Sequence, residues 1–294
     1  MRAQVIIGAT IVLDAILFLV NAEVAYLSSS RAVFSQAVYT LTDLVGGLLL
    51  LWGFYASRRP PDHDHPFGHG KERFFWAFTA SLITFSVAGI VTLVSGIFQV
   101  FTPEPVTHLP AALGVVGATV AVSVVGIAVT LRELRIGQES LSSLLDSAHQ
   151  GLKTIFYQDL ISIFGSLVAF VGIGVVYLTK RFQFDGITAV AVGLLLVSTG
   201  FILAAESREL LVGRSIPAAQ AKEVLEAVEA DPRVRKVRGF QSMMLGPDDV
   251  LLALRVNFQD GLTTDEIESV IDQLGTKLRK TIPTVRHIII EPES

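Results

Sequence analysis

The 294-residue chain contains no cysteine, which excludes disulfides, thiolate metal sites and a cysteine nucleophile. Charge is scarce as well: 17% of residues are Asp, Glu, Lys or Arg, against about 25% in a soluble domain. The deficit is uneven. Acids and bases are dense from Ser215 onward, whereas long stretches before it have none, so one part suits lipid and the other water. A formal net charge of -4 gives no reason to expect nucleic acid as a partner. There is no Walker-type phosphate loop, no G-x-S-x-G and no H-E-x-x-H, and the expectation is a non-enzyme without an organic cofactor. With thiols absent, the strong metal ligands available are six histidines and the carboxylates.

What the chain does have is long apolar runs. A helix needs about 20 apolar residues to cross a bilayer core. Candidate spans are Val5–Leu27, Ala32–Ala56, Phe74–Phe101, Leu109–Leu131, Leu152–Leu178 and Ile187–Ala205. Each run is unbroken rather than alternating, which favours helices over barrel strands. The first run outlasts a signal-peptide core and contains Asp14, so it reads as a true span. Lys and Arg mark the cytosolic loops. Arg58, Arg59, Lys71 and Arg73 lie between spans two and three, and Arg132, Arg135 and Lys153 between spans four and five. The opposite side has Arg31 and the dissenting pair Lys180 and Arg181. Both termini are therefore expected in the cytosol. With no transit segment in view, the cytoplasmic membrane is the default location.

The tail reads as a compact α+β unit. Pro217–Ala230 is an amphipathic helix with Val224, Leu225 and Val228 on one face. Val234–Met244 and Val250–Phe258 are strand-like, joined through Gly246-Pro247-Asp248-Asp249. Thr263 and Glu266 form a capping-box pattern for a helix ending near Lys280, and Val285–Glu291 is a last strand. The expected layout is an all-α membrane domain of six helices over residues 1–210, then a cytosolic α+β domain over 211–294. So small a domain is near the lower limit of independent stability, and dimerisation would relieve that limit.

Ionisable groups inside spans are expensive, so each one needs a reason. Asp43 lies about 11 residues, or roughly 16 Å, into span two. Tyr39 is one turn before it on the same face, and Gln36 and Thr40 extend the polar stripe. Asp159 lies in span five beside Gln158, with Ser162 three residues on. Either the two acids converge on a divalent cation, or each bonds to a neighbouring helix; stripes of small and polar residues on both helices favour convergence. Asp14 and Asn21, two turns apart in span one, suit helix packing or a water pathway.

A second cluster lies in the loop after span two. Three of the six histidines and two acids fall within the eight positions from Asp62 to His69. Asp62, His65 and His69, spaced three and four apart, can bind a borderline metal through oxygen and nitrogen. The same residues also suit a solvated loop. Lys71 is placed either to pair with Glu206 or Glu209 at the end of span six, tying a dimer together, or to stand as an ordinary solvated lysine.

At these residues the sequence resembles the cation diffusion facilitator family of divalent-metal/proton antiporters. Ser35-Gln36-Ala37-Val38-Tyr39-Thr40-Leu41-Thr42-Asp43 resembles its span-two motif, and Pro66-Phe67-Gly68-His69-Gly70-Lys71-Glu72-Arg73 its loop signature. Phe156-Tyr157-Gln158-Asp159 is similar to the span-five region, and Glu206-Ser207-Arg208-Glu209-Leu210-Leu211-Val212-Gly213 to the exit from span six. The resemblance implies a homodimer with a ferredoxin-like tail, in which spans two and five hold the transported ion. It also implies an accessory metal site at Asp62, His65 and His69. Tyr39 and Ile155 depart from the pattern, standing where the family usually has His or Asp. In the last strand, Ile289 replaces a usual ligand His, although Glu291 follows.

On the transport reading, two carboxylates kept from bulk water cannot both stay charged, so they hold either protons or a dication. Asp43 and Asp159, completed by Tyr39, make an oxygen-rich set suited to Mn²⁺ or Fe²⁺, with Zn²⁺ competing. The alternative is a non-transporting, dimeric membrane partner, which Tyr39 and Ile155 favour.

Overall fold

The computed structural model describes residues 2–136 and 150–293. Among these residues six helices of at least 26 residues come first: α1 (Arg2–Ser28), α2 (Arg31–Ala56), α3 (Glu72–Phe101), α4 (Leu109–Ile136), α5 (Gln150–Thr179) and α6 (Gln183–Val212). Helix thus stands at each of the expected apolar runs. Over the described residues four of them, α1, α2, α3 and α6, are long and apolar enough to cross a membrane. Shorter apolar stretches, Leu109–Val125 and Ile163–Thr179, lie in α4 and α5. α3 is interrupted by a π-helical turn at Thr84–Gly89, which hydropathy does not reveal.

Packing divides the chain into two units, Met1–Trp52 with Trp76–Ala205, and Gly53–Phe75 with Glu206–Ser294. In the first, α3 and α6 approach through glycine. A Cβ on Gly96 would lie 2.6 Å from the Val190 backbone nitrogen, and one on Gly193 2.6 Å from that of Leu93. Such backbone contact is how small residues hold helices together where lipid offers no hydrophobic drive. The start of α2 is held from elsewhere in the chain. Ser30 Oγ accepts from Val33 N at 3.3 Å, and the Asp185 carboxylate of α6 accepts from Arg31 N, from Ala32 N at 3.3 Å and from Ser30 Oγ at 2.6 Å. These bonds satisfy N–H groups that any helix start leaves open.

The second unit contains α7 (Ala218–Glu229), β1 (Val234–Gly246), β2 (Asp249–Phe258), α8 (Thr264–Thr281) and β3 (Val285–Pro292). The sheet order is β1-β2-β3. β1 and β2 pair antiparallel across a tight turn, whereas β3 pairs parallel to β2, which requires the crossover that α8 supplies. Inward residues of β2 (Leu252, Leu254, Val256) meet Val224 and Val228 of α7 and Val270, Leu274 and Leu278 of α8 in one core. The segment between α2 and α3 packs on this unit. At Gly70 an added Cβ would lie 2.5 Å from Leu245 O, so only glycine fits there. Phe74 joins Leu210 and Met244 in a small core. Within the chain Lys71 reaches the end of α6. Its Nζ donates to Leu211 O at 3.4 Å, where the helix end leaves carbonyls open, and lies 3.6 Å from Met243 Sδ.

Candidate metal centre

The loop site is built by short-range chemistry. Asp62 Oδ1 accepts the His65 backbone N–H at 2.7 Å, and Asp62 N donates to His65 O at 3.2 Å, closing a tight turn. Gly68, with a φ of +81°, bends the chain back, and Glu72 N donates to His69 O at 3.0 Å as α3 begins. Asp62 thereby sits between two imidazoles. His65 Nδ1 lies 3.2 Å from Oδ1 and His69 Nε2 3.4 Å from Oδ2, with the rings 4.3 Å apart. One ligand atom from each of the three residues lies within 4.8 Å of the others. Zn–N and Zn–O bonds of about 2.0–2.2 Å place tetrahedral ligands roughly 3.4 Å apart, so a small contraction closes the set on an ion.

Exposure differs across the triad. The His69 side chain is 9% exposed and its Nδ1 has no hydrogen-bond partner among the described residues, whereas Asp62 is 52% exposed and open to solvent. The His65 N–H holds the Asp62 carboxyl below its ordinary value; burial opposes this, and the His65 side chain and the charges of His69 and His65 add to the lowering. A cleft of about 460 Å³ adjoins the site, lined among others by His65, Phe67, His69, Lys71 and Met243. His63 and Asp64 take no part and face solvent, 3.5 Å from one another.

The span residues are placed as follows. Tyr39 is buried at 6% exposure in a core cluster with Ala88 of α3 and Val192 and Leu196 of α6. Asp43 follows one turn later on α2 and is half-buried. Asp159 falls on α5, and its side chain, like those of Ile155, Gln158 and Ser162, lies outside the described residues. Asn21 is buried; its Nδ2 donates to Leu17 O at 2.8 Å and to Thr119 Oγ1 at 3.5 Å, tying α1 to α4 as a packing group would. The residue that sequence reasoning missed is Asp185. It lies just before the apolar run of α6, and the groups it binds are 153 to 155 residues away, so no local pattern announces it.

Helices of this length and hydropathy, followed by a small α+β unit, make the chain an integral membrane protein. The family model described as cation efflux transmembrane domain matches residues 7–212. The chain belongs to the cation efflux, or cation diffusion facilitator, family. It is 25% identical over 237 residues to metal tolerance protein C4 of Arabidopsis thaliana, covering 79% of this chain and 52% of that one. It is 24% identical to the mitochondrial proton-coupled zinc antiporter SLC30A9 of Homo sapiens, covering 90% and 54% respectively. It is 21% identical to the cation-efflux pump FieF of Citrobacter koseri, covering 94% and 87%. The chain thus spans about half the length of the first two relatives. A solved nickel form of the MamM CTD is similar over 26% of this chain and 98% of that one, at 17% identity and a TM-score of 0.25.

Proposed function

We propose that the protein is a homodimeric efflux transporter that exchanges a divalent cation, Zn²⁺, Fe²⁺ or Mn²⁺, for protons by alternating access. All six long helices cross the cell membrane, with both termini and the 211–294 domain in the cytosol. Asp43 and Asp159 bind the cargo, Tyr39 completes the set, and Asp62, His65 and His69 hold a second ion at the loop. The observation that carries this reading is an acid more than two turns inside a membrane helix of the matched family region, one turn from a buried tyrosine. Charge inside a span is tolerated where it meets an ion pathway. Without the cation, the paired carboxylates take up protons; an entering dication displaces them, so exchange follows from the site itself.

Proteoliposomes carrying a proton-sensitive dye test this across Zn²⁺, Fe²⁺, Mn²⁺, Co²⁺ and Cd²⁺. Metal-dependent proton flux is expected for at least one ion, and Ile155→His should shift preference toward Zn²⁺ by adding a nitrogen ligand. Silence across the whole panel favours the second reading, a non-transporting dimeric membrane partner. The burial of Tyr39 against Val192 and Leu196, in place of the family's usual ligand, is the feature that supports that alternative.

A further inference from the structure

Most hydroxyls in the described membrane helices are hidden in the same way. Thr40, Ser81, Thr119, Ser123 and Thr188 each donate to the carbonyl four residues earlier. Thr92 Oγ1 and Ser95 Oγ on α3 and Ser166 Oγ on α5 do not. Among the described residues they have no hydrogen-bond partner, and neither has Gln36 Oε1 on α2. Gln36, Thr92 and Ser166 are 1%, 0% and 0% exposed. Buried polar atoms left unpaired forfeit their hydration, so native proteins keep them where an ion or water meets them.

The positions of these groups agree with one another. Gln36 precedes Asp43 by seven residues and Ser166 follows Asp159 by seven, two helical turns in each case, so each shares a face with an acid. In a six-span topology α2 and α5 run in opposite directions, which puts Gln36 and Ser166 on the same side of the acids. α3 rises as α2 descends: Gly46 lies beside Ala80, where a Cβ would come within 3.8 Å, and Tyr39 shares a cluster with Ala88. The next turn brings Gln36 level with Thr92.

We propose that Gln36, Thr92 and Ser166 form a neutral oxygen station on the Arg31 side of Tyr39, which takes the partly hydrated divalent cation as it leaves the acid pair. The inference rests on the transport reading above. One amide carbonyl and two hydroxyls turn dipoles toward a cation without neutralising it. They therefore hold it more weakly than the carboxylates do, as a station on an exit path must. The hydroxyls are free for this because they make no bond to their own helix.

The test uses the full chain and Zn²⁺ as probe, with binding in detergent defined as the part that Asp43→Asn removes, and turnover measured in proteoliposomes. The triple variant Gln36→Leu, Thr92→Val, Ser166→Ala should keep that binding within about twofold while turnover falls at least about tenfold. Gln36→Glu should tighten binding about tenfold and also slow turnover, because a carboxylate at the station retains the ion. A merely structural role would not tighten binding. Wild-type turnover in the triple variant overturns the proposal, and so does loss of its Asp43-dependent binding, or a Gln36→Glu variant unchanged in both measurements. If the wild type itself shows no Asp43-dependent binding, the transport reading falls first and takes the station with it.

Discussion

The helices α2 and α8 both cap backbone N–H groups at their first turn, by opposite means. At α8 the partners are neighbours. Glu266 N donates to Thr263 Oγ1 at 3.3 Å and Thr263 N to the Glu266 carboxylate at 2.7 Å, a reciprocal box closed within one turn. At α2 the Ser30 hydroxyl serves one N–H, and those of Arg31 and Ala32 reach Asp185, 154 and 153 residues further along the chain. The tail can use water for whatever its own residues leave unpaired. A helix in lipid cannot, so its partners must come from another helix, however distant in sequence. The candidate metal ligands divide in the same way: the loop triad is assembled within eight positions by one turn, whereas Asp43 and Asp159 belong to different helices.

Five substitutions sharpen that contrast, and their expected effects run from total to small. Asp43→Ala or Asp159→Ala should reduce metal-dependent proton flux in proteoliposomes to background; unchanged flux in both variants would remove the carboxylate pair from the mechanism. Asp185→Ala leaves the Ser30 hydroxyl and two N–H groups without their acceptor, at about 1–3 kcal/mol for each buried group. Thermal melting in detergent should show a clear loss, and a wild-type melting temperature would break the idea of long-range capping.

His69→Ala should weaken metal binding at the loop by at least about tenfold, seen by calorimetry in an Asp43→Asn background. In the intact triad acidification also weakens binding, because neutral imidazoles are needed as ligands. Asp62 does not contribute to that slope at mild acidity. Its carboxyl is held below the ordinary value, so the stabilising charge is fully present above the unfolded value and is lost only as pH falls through the lowered one. A further drop in affinity near the ordinary carboxylate range would contradict this. Thr263→Ala removes only a local cap, at about 1 kcal/mol. Hydrogen exchange should report it as faster exchange in the first turn of α8 with the rest of the tail little changed.

How much of this is legible in the sequence follows from the same distinction. The helices stand where apolar runs predict them. The tail's elements, including the Thr263–Glu266 box, follow from period, turn residues and caps, all of them local signals. The Asp62, His65 and His69 spacing is likewise local, and the turn at Asp62 brings the three side chains together. Three features lie beyond such reading. The parallel docking of β3 beside β2 depends on a crossover, the π-helical turn in α3 breaks no hydropathy pattern, and the partners of Asp185 and Lys71 are fixed by packing between distant segments.

The most direct test concerns the acid pair. Titration calorimetry of the full chain with the transported ion, repeated in two buffers of different ionisation enthalpy, counts the protons released on binding. With the loop triad disabled by His65→Ala and His69→Ala, about one to two protons should leave per ion, and the release should vanish in Asp43→Asn and in Asp159→Asn. Binding without proton release, or release that survives both substitutions, would contradict exchange at these carboxylates.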